Sequence, residues 1–305
     1  MPETRTRARA ADQPLSVAGW ATHVPGLTAA DLPGSPAEPA CGPDDAKDVL
    51  GRKGLLGKEP STRLALCATH RALGLPPGKL AEPLPYAPGT AVVVASNLGN
   101  VETVSTVLDD MRSRGGNVVS PLDAPNASSN VIASSIAIRY GFTGPNLAVC
   151  SGATAGLDAV RLARLLLLAG RAERAVVVGV EPADPVARAL AALRPGDPGE
   201  LIAGAGCVLL GRPGAWPTDT GITVGPVVRH TSDPGPADGQ PAVGELYGAA
   251  GVVRLAAAAA MLAGADADAG ADGAATTVRC GDADDAWLTV DVTRAGARRE
   301  AGAAA

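Results

Sequence analysis

The segment that decides the fold runs from Asn146 to Val160 and reads Asn-Leu-Ala-Val-Cys-Ser-Gly-Ala-Thr-Ala-Gly-Leu-Asp-Ala-Val. Leu147–Cys150 is a short apolar run of the kind that forms a buried strand, and Ser151–Thr154 are small turn residues. Leu157, Val160, Ala163 and Leu167 then recur at helical spacing, with Gly170 as the stop. Ala175–Val180 supplies a second buried strand, which completes a β-α-β unit. At the sharp strand-to-helix turn of such a unit a side chain projects beside a helix N-terminus. The dipole and free N–H groups there favour an anion, and a thiol pKa can fall to roughly 3.5–7.5. An acyl-transfer enzyme would carry its nucleophile at this turn. The residue present is Ala153.

Composition sets the outer bounds. A chain of 305 residues, 46% of them hydrophobic, has ample material for one large domain or two fused halves. No run of eighteen apolar residues is present, so no membrane span is expected. A net charge of −5 gives no footprint for nucleic acid. Met1–Ala11 is rich in Arg without an apolar stretch behind it, which reads as a disordered leader rather than a secretory signal. Five cysteines (Cys41, Cys67, Cys150, Cys207, Cys280) lack CxxC spacing, as expected of a reduced, cytoplasmic protein. His23, His70 and His230 are far apart, so only convergence in space would make a metal site, and no metal or cofactor is expected.

Along the chain, Leu15–Trp20 reads as a first strand and Thr22–Lys58 as surface loop. Ser61 is placed to cap a helix over Thr62–Leu73. Ala91–Ala95 is a strand, followed by a helix to about Met111, capped by Asn97 or Asn100. Val101, Val104, Leu108 and Met111 form one stripe of that helix, and core packing is the simplest role for any one of them. A helix is expected over Ser128–Tyr140 and a polar connection over Pro182–Glu200. A strand follows the glycine pair Gly204 and Gly206, and Gly211–Thr220 links to a second half. That half holds a strand over Ile222–Val228, a helix over Val252–Gly264, an exposed loop over Ala265–Ala274 and a final hairpin.

The Asn146–Val160 segment resembles the β-ketoacyl synthases of the thiolase fold. The likeness is closest to the paired ketosynthase and chain-length factor (the ketosynthase beta subunit) of bacterial type II polyketide synthases. In that family a Gly-Pro-(Asn/Ser) turn leads into the strand, and the nucleophilic cysteine is followed by Gly-Leu-Asp-Ala-(Val/Leu). Here Gly144-Pro145-Asn146 and Gly156-Leu157-Asp158-Ala159-Val160 match without a gap, and Ala153 occupies the cysteine position. Thr62–Leu66 resembles the family's Ser-Arg-Leu-Ala-Leu helix, and Gln240–Gly251 its Lys-Ser-x-x-Gly-His-x-x-Gly-Ala-Ala-Gly segment.

The resemblance implies an α/β, thiolase-like layered αβαβα fold with two pseudo-repeated halves, the second shortened. The halves would be residues 12–211 and 221–293, with 1–11 and 294–305 as disordered ends. It implies tunnel-lining positions at Val101, Val104 and Leu108, and a subunit interface including Asn126, Ser129, Leu147, Val149 and Cys150. Condensation needs a thiolate to hold the acyl chain and donors where oxygen gains charge. In the family these are a cysteine and two histidines, with a lysine beside them. Here Ala153 replaces the cysteine, Glu245 the second histidine and Gln240 the lysine. The His-Gly-Thr-Gly-Thr segment and the final Gly-Phe-Gly-Gly loop are absent, the latter position reading Cys280-Gly281-Asp282. His230 lacks that context and reads as a surface residue.

No residue is therefore expected to be catalytic. The function implied is a chain-length-factor-like subunit paired with an active ketosynthase, which works on thioesters of an acyl carrier protein. One alternative is a stand-alone acyltransferase or decarboxylase using Cys150, Ser151 or Glu245. Cys150 is expected to be buried in packing, and Glu245 to form a salt bridge at a subunit contact. A scaffold that only dimerises is the other alternative.

Overall fold

The structure is a computed structural model that describes residues 13–294, apart from 81, 122–123, 197–198, 236, 238–239, 242 and 265–273. Its elements, in chain order, are β1 (Leu15–His23), α1 (Lys47–Leu50), α2 (Pro60–Ala72), β2 (Thr90–Ala95), α3 (Val101–Arg114), α4 (Val131–Tyr140) and β3 (Asn146–Val149). Then come α5 (Ala155–Leu168), β4 (Arg174–Glu181), α6 (Pro185–Ala191), β5 (Gly204–Gly211), β6 (Ile222–Val224) and β7 (Val228–His230). The chain closes with α7 (Ala250–Gly264) and the hairpin β8 (Ala275–Asp282) and β9 (Ala286–Arg294).

The strands join in the order β3-β2-β4-β5-β1-β6-β9-β7, with β8 added to β9. β2 runs parallel to β3 and β4, and β5 is antiparallel to both β4 and β1. The central strands read as continuous apolar runs because both faces are covered. Val92 and Val94 point into one core with α2 and α4, while Ala91, Val93 and Ala95 point into the other with α5 and α7. β8 and β9 fold over the far side of α5 and α7, and Val278, Leu288, Val290 and Val292 close that second core. The fold is thiolase-like and mixed α/β.

Helices α5 and α7 meet backbone to backbone. A Cβ added to Gly156 would lie 2.8 Å from the Cα of Gly251, and one on Gly251 would lie 2.8 Å from the nitrogen of Leu157. Each helix follows a single 3-10 turn, Gly152–Thr154 before α5 and Tyr247–Ala249 before α7. One helical arrangement is thus used twice. The stretch Tyr247–Gly264 is long and apolar enough for a membrane span by composition, yet 61% of it is buried inside the fold, as a core helix is.

Several expectations change. The segment read as loop after Thr22 carries the end of β1 and α1, and it buries Leu32, Ala46 and Leu50; its apolar residues are too widely spaced to show a period. Pro182–Glu200 contains α6, capped by Asp184, whose Oδ1 accepts from the N–H of Ala187 at 2.8 Å. Ser61 does not cap α2: Pro60 starts the helix, and the Ser61 hydroxyl donates to the Gly99 carbonyl. Ile222–Val228 divides into β6 and the start of β7. Helix α3 has no fully buried residue: Val101 packs against the cluster of Leu98, Ala187, Ala191 and Leu201 and Val104 is half-buried, whereas Leu108 and Met111 are exposed and are not core packing in this chain. Of the ends expected to be disordered, Arg294 closes β9, while 1–12 and 295–305 lie outside the described residues, as does most of the loop expected over 265–274.

Candidate functional site

Ala153 sits where the sequence puts it, on the turn between β3 and α5, almost wholly buried. The turn needs Gly152, whose φ of +67 lies in the left-handed region that side chains disfavour. Asn97 pins it from β2's end: its Nδ2 donates to the Gly152 carbonyl at 2.9 Å, and its Oδ1 accepts from the Gly152 N–H at 3.1 Å. Asn97 is in turn held by Glu181, whose Oε1 accepts from its backbone N–H at 2.8 Å, while Oε2 accepts from Leu98 N–H at 2.9 Å. Glu181 is fully buried at the end of β4, and burial pushes its pKa up to about 7 against the pull of these N–H groups and that of Gly248.

The position at which a nucleophile would work is filled. Oδ2 of Asp285, from the β8–β9 turn, accepts from the Ala153 N–H at 2.6 Å. A negative charge beside the first turns of α5 is favoured by the helix dipole. A side chain on Gly152 would overlap the same carboxylate.

Beside it lies a cleft of about 360 Å³ lined by Ala153, Arg194, Glu245, Tyr247, Arg254 and Asp282, among others. Its charged centre is Arg194, which donates to Glu245 Oε1 and to Asp282 Oδ2, both at 2.8 Å. The guanidinium also stacks over the Tyr247 ring, 3.9 Å from the centroid. Glu245 Oε1 further accepts from the Tyr247 N–H at 2.9 Å. Glu245 therefore does form a salt bridge, but within the chain. Gln240, at the lysine position, is bound to β8 instead, its Oε1 accepting from Arg279 N–H at 2.9 Å. His230 shares a 2.8 Å hydrogen bond with Thr289 on β9. The cleft thus holds an ion network beside a methyl group, and among the described residues that line it no nucleophile is paired to a base.

The other candidates are not activated. Cys150 is exposed, not buried, because β3 is an edge strand; its thiol donates to the Ser96 carbonyl at 3.0 Å. Partial burial of the thiol and the nearby Glu181 carboxylate push its pKa up, away from the thiolate. The Ser151 hydroxyl donates to Asp158 at 2.8 Å, and the same carboxylate accepts from Thr154 and pairs with Arg161.

The expected surface positions are only partly free. Leu147 and Val149 are half-buried on β3, whose outer edge has no partner strand among the described residues. Ser129 is exposed, but Asn126 is buried and donates to the Gly57 carbonyl at 2.6 Å. Val101 and Val104 are half-buried, and Leu108 is 44% exposed. Asn97, Glu181, Arg194, Asp282 and Asp285 shape the site, yet of these only Asn97 has a role legible in sequence, and that role was a helix cap. The side-chain contacts that build the site from Asn97, Glu181, Arg194, Asp282 and Asp285 reach across 51 or more residues, beyond any local pattern, apart from the hydrogen bond that the Asp285 N–H donates to Asp282 within their own turn.

Residues 51–195 match the family described as "Beta-ketoacyl synthase, N-terminal domain". A 3-oxoacyl-[acyl-carrier-protein] synthase 2 of Vibrio cholerae serotype O1 is 32% identical over 92 residues, covering 30% of this chain and 22% of that protein. Its counterpart in Rhizobium meliloti is 29% identical over 99 residues, 32% of this chain and 23% of that protein. The alignments thus span under a quarter of these curated relatives. Among solved structures, the chain is similar to the ishigamide ketosynthase/chain length factor, with a TM-score of 0.69 at 21% identity, over 93% of this chain and 100% of that one. A structure of a type II PKS acyl-carrier protein in complex with its ketosynthase gives a TM-score of 0.67 at 11% identity, over 93% and 99%. Over residues 51–195 the chain is thus similar to the N-terminal domain of β-ketoacyl synthases, and its fold is the thiolase-like one.

Proposed function

We propose that this chain is a non-condensing, chain-length-factor-like subunit that pairs with an active ketosynthase in fatty acid or polyketide synthesis. The observation that carries this is the state of the nucleophile's position: a methyl group at Ala153, with its N–H already engaged by Asp285. The ion network of Arg194, Glu245 and Asp282 stands where the resemblance puts a catalytic histidine. The partner supplies the thiolate and histidines, and carrier-bound thioesters reach the complex through it. Residues 12–211 and 221–293 are the two related halves, and the protein acts in the cytoplasm.

The free edge of β3, with Leu147 and Val149 beside exposed Cys150, supports a second subunit at this face. The outer part of the α3 stripe, with Leu108 and Met111 exposed in the single chain, supports a tunnel wall completed in the pair. A growing acyl chain gains burial along such a wall until the next methylene has to displace packed side chains, at roughly 1–3 kcal/mol. The likeness to the ishigamide ketosynthase/chain length factor agrees with this arrangement.

The test is reconstitution. The purified chain alone should show no elongation of malonyl thioesters on a carrier protein, and it should co-purify with a co-expressed ketosynthase that needs it for activity. Elongation by the chain alone would refute the reading. Acyl-enzyme formation on Cys150 or Ser151, trapped by mass spectrometry, would favour the stand-alone enzyme.

A further inference from the structure

On the opposite side of the sheet from Asp285, the fold gathers three residues that the sequence keeps apart. His23 ends β1, Cys41 lies in the segment between β1 and α1, and Cys67 lies in the middle of α2. One ring nitrogen and the two thiol sulfurs all lie within 4.8 Å of one another. His23 and Cys67 are fully buried, whereas Cys41 is half-buried and open to solvent on one side.

The ligand types are informative. Two thiolates and an imidazole are a soft, nitrogen-and-sulfur donor set, which suits zinc and other thiolate-binding d10 ions and not magnesium or calcium. Two thiolates also balance a dication, so the buried assembly would be neutral. Around tetrahedral zinc, with bonds of about 2.3 Å to sulfur and about 2.0 Å to nitrogen, neighbouring ligand atoms stand about 3.5–3.8 Å apart. The Nε2 of His23 is 3.8 Å from the Cys41 sulfur. Nε2 is also 3.0 Å from the Cys41 carbonyl oxygen, and Nδ1 is buried with no hydrogen-bond partner. Nε2 faces the Cys41 sulfur, so it is the nitrogen an ion would take, in place of its contact with the carbonyl oxygen.

We infer that His23, Cys41 and Cys67 form a zinc-type metal site, with a fourth position left for water on the side where Cys41 meets solvent. Binding converts both thiols to thiolates and releases two protons to solvent; no oxidant is involved. The ion ties the segment between β1 and α1 to strand and helix. Within that segment, main-chain hydrogen bonds of 2.9 Å join Ala40, next to Cys41, to Gly26 and Leu27, and the Thr22 N–H of β1 donates to the Gly34 carbonyl at 3.0 Å. The site does not depend on the function proposed above, since none of its residues touches the cleft at Ala153.

The experiment is titration of the full-length, reduced and chelator-stripped chain with cobalt(II) alone, then displacement by zinc. One equivalent of cobalt should bind with a thiolate-to-cobalt charge-transfer band, and zinc should abolish the band. In Cys41→Ser, whose side chain is half-buried, affinity should fall by more than the roughly 10–100-fold that losing an outer partner of a ligand costs. Circular dichroism of the metal-free variant should match that of the metal-free parent. Absence of the band in the reduced parent would overturn the inference, and so would an unchanged band in Cys41→Ser. A Cys41–Cys67 disulfide forming in air, with no metal taken up by the reduced chain, would also overturn it in favour of a redox pair. His23→Gln should weaken binding while leaving two titratable thiols.

Discussion

The backbone N–H of Ala153 donates a 2.6 Å hydrogen bond to Oδ2 of Asp285, a residue 132 positions further along the chain. The carboxylate thus uses the donor that, in an acyl-transfer enzyme, would face the oxygen of a bound thioester. Asp285→Ala should cost about 1.5–3 kcal/mol, the usual worth of a hydrogen bond to a charged group. Asp285→Asn keeps an acceptor and should cost less, as urea unfolding would show. Neither variant, alone or combined with Ala153→Cys, should elongate acyl chains, because groups that act as a unit are not restored singly. Turnover by the double variant would show that the site is only blocked.

Arg194 bridges two carboxylates from different parts of the chain and stacks on Tyr247. All three charged side chains keep some contact with solvent, so screening reduces what they contribute. Arg194→Gln should lower stability by about 1–2 kcal/mol, less at high salt. Arg194→Lys should recover only part of it, since a point charge cannot fork to Glu245 and Asp282 as the guanidinium does.

Glu181 titrates near 7 in the folded chain because it is buried, whereas an unfolded glutamate titrates near 4.3. The folded state therefore binds this proton more tightly. Its contribution to stability is fully present below about pH 4.3 and is lost as pH rises through about 7. The loss is on the order of 3 kcal/mol. Stability measured against pH should fall across this window in the parent relative to Glu181→Gln, which has no proton to lose. Parallel curves for the two proteins would contradict the assignment.

The crossing of α5 and α7 leaves no room for a methyl group at Gly156, where a Cβ would meet Gly251 backbone at 2.8 Å. Gly156→Ala should cost about 1–3 kcal/mol or more through overpacking, despite alanine's better helix propensity. Gly170→Ala, where φ is +67 but nothing crowds the position, should cost only the backbone strain of about 1 kcal/mol. Chemical denaturation of both variants separates packing from conformation.

Leu108 is 44% exposed on a helix with no fully buried residue. In the reconstituted pair, Leu108→Phe or Val104→Phe should shorten the product while leaving the stability of the isolated chain within about 0.5 kcal/mol. Mass analysis of released products reads the change. Unchanged lengths would favour a subunit that only completes the dimer.

The sequence by itself determined the strand-turn-helix-strand around Ala153, the apolar run of β2, and the missing sulfur. Each is a local property, visible in the spacing of apolar residues or the identity of one residue. What it could not show was decided by contacts between distant segments. The Asp285 carboxylate reaches Ala153 only because the β8–β9 hairpin folds over α5 and α7. Glu245 meets Arg194 because the stretch after α6 runs beside it, Leu201 bridging to Glu245 and the Ile202 N–H donating to the Glu245 carbonyl. Cys150 looked buried because an apolar run reads the same in a central strand and an edge strand, and sheet order alone tells them apart. His23, Cys41 and Cys67 belong to the same lesson: ligand spacing along a chain exposes a site only when one turn or hairpin supplies it, whereas here a strand end, an extended segment and a helix converge.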